Sequence, residues 1–169
     1  MNSKLLQDFY EKYSREIYLY VYSLSHDRFL SEDLMQETFV KALLSLPEQH
    51  MNVRGWLYMV ARNLYFNHQR NSRHEEEKSR RQKMQGEDTE KSLDPVGKIL
   101  QCERDRVVYA AVNQLDGRKR EVVILQYFSG LSQKEIARVL GITMENVRVL
   151  SFRAKKELRQ WIKEAGYDV

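Results

Sequence analysis

Cysteine is nearly absent from this chain: Cys102 is the single one in 169 residues, which rules out an internal disulfide framework and leaves that residue as a small helix side chain. Long apolar runs are absent as well. Neither a secretory segment nor a membrane-spanning helix is expected, and the natural setting is the reduced cytoplasm without direct membrane insertion. Metal-ligand spacing is also missing. His26, His50, His68 and His74 are scattered, and His74-Glu75-Glu76-Glu77 lacks the second histidine of a zinc-protease helix, so no metal, cofactor or small-molecule substrate is expected. No segment alternates apolar and polar residues convincingly, which excludes a sheet and makes the expected fold class all-α.

With 42% hydrophobic residues the chain can bury one modest core or two small ones, and its charge map favours two. Residues 98–169 hold 14 Lys/Arg against 9 Asp/Glu while residues 1–70 hold 8 of each, so the positive excess lies towards the C-terminus. Leu5, Phe9, Tyr13, Ile17, Tyr20, Val21 and Leu24 predict a first helix of about five turns. Ser31 is expected to cap a second over residues 32–46, ended by Pro47. A loop over residues 47–52 leads to a third, from Val53 to about Arg73, with Trp56, Leu57, Val60, Ala61 and Leu64 inward. Together they form a small helical domain, residues 1–73.

Residues 74–95 carry mixed charge and few apolar side chains, which predicts a solvated, flexible linker able to span about 75 Å at roughly 3.3 Å per residue. A second helical domain, residues 96–169, is expected to open with helices around 99–114 and 118–127 and to end in a helix-turn-helix over 132–159. There Ser132 and Glu135 have the spacing of a capping box, followed by the apolar Ile136, Ala137, Val139 and Leu140. Gly141 supplies the unusual turn angle, and Thr143 caps the next helix. Val147, Leu150, Ala154, Leu158 and Trp161 make that helix's inner stripe, leaving Arg148, Val149, Phe152, Arg153 and Lys156 on its open side. Six Lys/Arg face two Glu between Met144 and Lys163, a balance suited to phosphate contact with DNA.

Two patches in the N-terminal domain carry further information. Asp33, Gln36, Glu37 and Val40 recur at i, i+3, i+4 and i+7 on one stripe of the second helix, which is either an ordinary solvated face or a docking stripe for a basic partner helix. On the third helix Arg54, Tyr58, Arg62, Asn63, Tyr65, Phe66, Asn67 and Arg70 interleave cations, amides and aromatics. Such a mixture suits single-stranded DNA, in which exposed bases stack and can be read by their edges, although several of these aromatics can equally serve the core.

The order of these blocks resembles a bacterial RNA polymerase sigma factor of the extracytoplasmic-function type. SEDLMQETFVKAL at 31–43 is similar to the segment that grips the polymerase clamp helices, and WLYMVARNLYFNHQR at 56–70 to the segment that melts and reads the downstream promoter element. REVVILQYFSGLSQKEIARVLGITMENVRVLSFRAKKEL at 120–158 is similar to the domain that binds the upstream element. The resemblance implies a promoter-specificity subunit without catalysis of its own, whose partners are core RNA polymerase, promoter DNA and an anti-sigma factor. It implies polymerase contacts at Asp33, Gln36, Glu37 and Val40. Downstream-promoter contacts are implied at Arg54, Tyr58, Arg62, Asn63, Asn67 and Arg70, with the 47–52 loop and Asn63 holding a flipped base. Upstream contacts are implied at Ser132, Gln133, Lys134, Glu145, Arg148, Val149, Phe152, Arg153 and Lys156.

Departures from the family pattern are local. Where many relatives have Leu-Pro, Leu115-Asp116 leaves a helix start to Asp116 or Gly117. Ser151 occupies a usually aliphatic place, so Leu150 is expected to take over that core role at i+3 from Val147. An operator-binding regulator whose N-terminal helices dimerise, and a nucleic-acid enzyme built on scattered acids and histidines, are the alternatives; the second has no metal constellation behind it.

Overall fold

The computed structural model describes residues 3–46, 52–79 and 103–168, and every regular element among them is helical. The chain divides into two compact units, Met1–Ser92 and Leu93–Val169. The first contains α1 (Ser3–Ser25), α2 (Arg28–Ser45) and α3 (Val53–Ser79), all packed on one another. The second contains α4 (Glu103–Gln114), α5 (Gly117–Val123) with a π-helical turn (Ile124–Phe128), α6 (Gln133–Leu140) and α7 (Met144–Glu164).

In the first unit the apolar spacing of α1 buries Ile17, Tyr20, Val21 and Leu24, but Leu5 is exposed and Phe9 and Tyr13 half-buried. The fully buried positions of that helix therefore lie in its C-terminal half, while Tyr10 of the first half packs edge-on against the buried Phe39 ring at 5.0 Å. The link to α2 is shorter than expected, because His26 adopts a left-handed φ of 52° and Asp27 at once caps the next helix, accepting the Leu30 N–H at 3.1 Å. Ser31 is thus not the cap. It lies inside α2, fully buried, its hydroxyl donating back to the Asp27 carbonyl at 2.6 Å and facing the Ser25 hydroxyl at 3.0 Å. The second helix ends at Ser45, while Pro47 and the rest of residues 47–51 lie outside the described residues.

The third helix is capped by Asn52, whose Oδ1 accepts the Gly55 N–H at 2.9 Å. It buries Leu57, Tyr58, Ala61, Leu64 and Tyr65, whereas Trp56 and Val60 are half-buried. The Tyr65 hydroxyl donates to the Leu24 carbonyl at 2.9 Å, and the Tyr20 and Tyr58 rings meet at 5.0 Å, so aromatics form much of the α1–α3 seam. The helix also continues to Ser79, so the stretch assigned to a linker begins as helix; residues 80–95 lie outside the described residues, as do 99–102 ahead of α4.

In the second unit Asp116 caps α5, accepting the Lys119 N–H at 3.1 Å, which settles the choice left open between Asp116 and Gly117. Lys119 bridges Asp116 at 3.1 Å and Glu157 of α7 at 2.5 Å, tying the start of α5 to the last helix. The core gathers Val112, Leu115, Val122, Leu125, Ile136, Leu140, Val147 and Ala154.

Candidate nucleic-acid interface

On α2 the side chains of Asp33, Gln36, Glu37 and Val40 are all exposed, because Leu34, Met35, Thr38, Phe39 and Ala42 turn inward at the complementary spacing. The acidic stripe continues into an apolar fringe. Val40 is 54% exposed, Leu43 48% and Leu44 77%, so the surface combines carboxylates with aliphatic area of the kind that a partner protein covers.

The third helix separates the residues grouped as downstream contacts. Asn63, Asn67 and Arg70 are exposed, with Arg70 donating to the Asn67 Oδ1 one turn away, and Arg62 lies 4.5 Å from the centre of the half-open Phe66 ring. A stacked guanidinium and aromatic ring beside exposed amides offers both π-surface and hydrogen-bond donors to an unpaired strand. Tyr58 does not belong to this face. It is fully buried against Tyr20, and its hydroxyl donates to Glu16 Oε2 at 2.9 Å. Arg54 is held as well: its Nε and Nη2 clasp the Glu16 carboxylate at 2.7–3.1 Å while its guanidinium lies 5.8 Å from the Tyr58 ring. Glu16 was missed because nothing in its own neighbourhood marks it; its partners lie about forty residues further on. Of the 47–52 loop only Asn52 is described, as the α3 cap.

The helix-turn-helix forms as the local signals require. Ser132 Oγ accepts the Glu135 N–H at 3.2 Å, Glu135 Oε2 accepts the Ser132 N–H at 2.7 Å, and Gly141 sits at φ 65°. Thr143 Oγ1 accepts the Asn146 N–H at 3.1 Å to open α7, near whose start Glu145 is exposed. Arg148, Val149, Arg153 and Lys156 are exposed, and Phe152 is 70% exposed on the same side. Gln133 is half-buried and accepts a hydrogen bond from Arg148 Nε at 3.0 Å, which orients that guanidinium from the neighbouring helix; Lys134 beside it is exposed. The inner stripe differs from expectation in more than one place: Leu158 and Trp161 are only half-buried, and Ile162 is buried. Ser151, not Leu150, is buried between Val147 and Ala154, its hydroxyl donating to Gln126 Oε1 at 2.8 Å, while Leu150 is only half-buried.

Comparison with known proteins places both units. The profile described as Sigma-70 region 2 matches residues 9–75, and that described as Sigma-70, region 4 matches residues 105–158. The chain belongs to the sigma-70 family. Within it, this sigma factor is of the extracytoplasmic-function type. It is 28% identical over 155 residues to the ECF RNA polymerase sigma factor SigM of Bacillus subtilis, covering 91% of this chain and 93% of that protein. It is 29% identical over 160 residues to the RNA polymerase sigma factor YlaC of the same organism, covering 92% and 90%. Among solved structures, the sigma factor RpoE of Bartonella quintana in complex with the anti-sigma factor NepR is similar with a TM-score of 0.69 and 24% identity, over 93% of this chain and 98% of that one, a likeness of fold. The α2 and α3 surfaces both fall inside region 2 of this sigma factor, and α5 through most of α7 inside region 4.

Proposed function

We propose that this sigma factor, which directs promoter-specific initiation by RNA polymerase, does so by dividing the work among three surfaces. Asp33, Gln36, Glu37 and Val40, with the adjoining Leu44, dock on the core enzyme. Arg62, Asn63, Asn67 and Arg70, with the Phe66 ring, hold the opened downstream strand, Asn63 being placed to receive an extruded base. Arg148, Val149, Phe152, Arg153 and Lys156 enter the upstream major groove; Ser132, Gln133, Lys134 and Glu145 flank them at the starts of the two helices. The boundaries assigned to the N-terminal and C-terminal domains, to about residue 73 and from about residue 96, belong to the same proposal. The chain supplies specificity and the polymerase supplies the chemistry. The cytoplasm is its proposed setting, and an anti-sigma factor, the class of partner present in the RpoE structure, its proposed regulator.

The observation that carries this reading is the outward face of α7, where two arginines, a lysine, a valine and a phenylalanine stay exposed while the stripe opposite them is buried. Such a face meets phosphates and base edges together. Transcription with purified core polymerase on genomic DNA, followed by mapping of start sites, is expected to give a small set of promoters sharing two sequence elements. Starts without a shared element, or tight polymerase-independent binding of a dimer to a palindrome, would instead support an operator-binding regulator.

A further inference from the structure

We infer that Gln126 is a positioning residue for upstream-element recognition, acting through Ser151 to set the roll of α7 about its own axis. The inference deepens the proposed reading of α7 and rests on it.

At about 100° per residue, Val147, Ser151, Ala154 and Ile162, the buried residues of α7, lie on one narrow arc, with the half-buried Leu150 and Trp161 at its edge on one side. Apolar burial alone would roll the helix towards Leu150 and Trp161, since both leave aliphatic or aromatic area uncovered and Ser151 contributes none. The helix is not rolled that way. Ser151 is 4% exposed, and its hydroxyl reaches the half-buried Gln126 at 2.8 Å. A buried hydroxyl without a partner is costly, so the hydrogen bond opposes the roll directly.

Gln126 is able to do this because of where its backbone sits. It lies within the π-helical turn, which Ser129 N–H closes on the Ile124 carbonyl at 2.9 Å, and Leu131 N–H returns to Leu125 at 2.9 Å. The next residue, Tyr127, receives Lys155 of α7 over its ring at 5.3 Å, so the turn meets α7 at two successive points. A π turn presents its side chains at angles that an α-helix does not, a local geometry that recurs at functional sites.

A small roll has a large effect at the groove. With side chains reaching about 5–6 Å from the helix axis, a roll of about 20° displaces their ends by about 2 Å. Base-edge hydrogen bonds tolerate about 0.5 Å, so the residues facing the DNA would exchange partners without any of them being changed.

The test is selection from a promoter library with reconstituted holoenzyme carrying full-length wild type, Gln126→Leu, Ser151→Ala, the double variant or Gln126→Glu. Gln126→Leu and Ser151→Ala are each expected to change the preferred upstream bases, shifting the affinity ratio of old to new sequence by about fivefold, and the double variant to shift it no further than either single one. Gln126→Glu keeps an acceptor for the serine and is expected to keep the wild-type sequence while weakening all DNA alike through its charge. Ser151→Ala removes one oxygen and no packing atom, so it remains informative if Gln126→Leu folds poorly. Uniform weakening by both single variants, with the preferred sequence unchanged, overturns the inference. Arg148→Ala and Phe152→Ala selected in parallel separate the two levels: if neither alters preference, α7 is not the reader and both fall, whereas altered preference there with none from Gln126→Leu removes only Gln126.

Discussion

Replacing Arg54 with alanine is expected to destabilise the N-terminal unit by about 2–3 kcal/mol while leaving the proposed strand-binding face of α3 intact. Arg54 makes a two-pronged ion pair with Glu16, whose partners' side chains are 30% and 27% exposed. Fully exposed pairs contribute about 0.2–1 kcal/mol, and breaking a buried pair costs about 3–5 kcal/mol, so this half-buried one should cost about 2 kcal/mol. Loss of the guanidinium from the Tyr58 ring adds about 0.5–1 kcal/mol. For a unit of this size the sum corresponds to a fall in melting temperature of about 10–20 °C. Arg54→Lys keeps the charge without the planar fork and should recover less than half of the loss.

The chain's two tryptophans make the measurement clean, since Trp56 lies in the first unit and Trp161 in the second. In a Trp161→Phe background, tryptophan fluorescence follows the unfolding of the first unit alone. The salt dependence of promoter binding, measured below the melting transition, should stay that of wild type, because Arg54 is committed to Glu16 and not to a phosphate. If Arg54→Ala melts with wild type yet binds with a shallower salt slope and opens promoters poorly, the guanidinium works on DNA and the clamp is of no consequence.

Asp33→Arg with Glu37→Arg should weaken association with core polymerase at unchanged circular dichroism, since both side chains are exposed; unchanged affinity would exclude docking through this stripe. Asn63→Ala is expected to impair opening of an ordinary promoter but not binding to intact duplex, and equal losses on ordinary and pre-opened templates caused by weak duplex binding would refute its role at an extruded base. Arg148→Ala should relax preference at one or two base pairs by about 1–3 kcal/mol, whereas Lys156→Ala should weaken all sequences alike and lower the salt slope by about one charge; a uniform effect from Arg148→Ala would remove it as a base reader. Asp116→Ala should cost the C-terminal unit about 1 kcal/mol as a lost helix cap, read by urea unfolding. The backbone N–H and then the ammonium of Lys119 hold the Asp116 carboxyl below its ordinary pKa, so this stabilisation is complete above the usual carboxylate value and is lost as pH falls through the lowered one. Lys119, raised by its hydrogen bonds to Glu157 and then Asp116, stabilises fully below the ordinary lysine value and ceases to as pH rises through the raised one, so Asp116→Ala should lack the acid transition and keep a smaller alkaline one carried by Glu157.

What could be read from sequence was what is decided within a few residues. The capping box at Ser132 and Glu135, the left-handed Gly141 and the Thr143 cap all formed as expected, because each depends on neighbours three or four positions away. The start of α2 was misplaced because Asp27 and Ser31 are both good caps one helical turn apart, and the choice fell to Asp27 once His26 took the left-handed turn that ends α1. Tyr58 was harder. Its spacing with Ala61 and Tyr65 fits the buried stripe, but an aromatic next to arginines also fits a DNA surface, and Glu16, which settles the matter, is distant in sequence. Ser151 was passed over for Leu150 because hydrophobic periodicity counts apolar atoms and cannot see a hydrogen bond to Gln126.

The π turn has a consequence for chain length. Such a turn holds one residue more than an α-helical turn would need, and here it is the last turn of its segment, capped by Ser129 with no helix until Gln133. A deletion of one residue within Ile124–Phe128 would therefore have to be taken up by the short link over residues 129–132, whereas the same deletion inside α7 would rotate every later side chain by about 100°. In an alignment of related chains, a one-residue gap at Ile124–Phe128 would mark the chains expected to lack the hydrogen bond that Gln126 makes to Ser151 here.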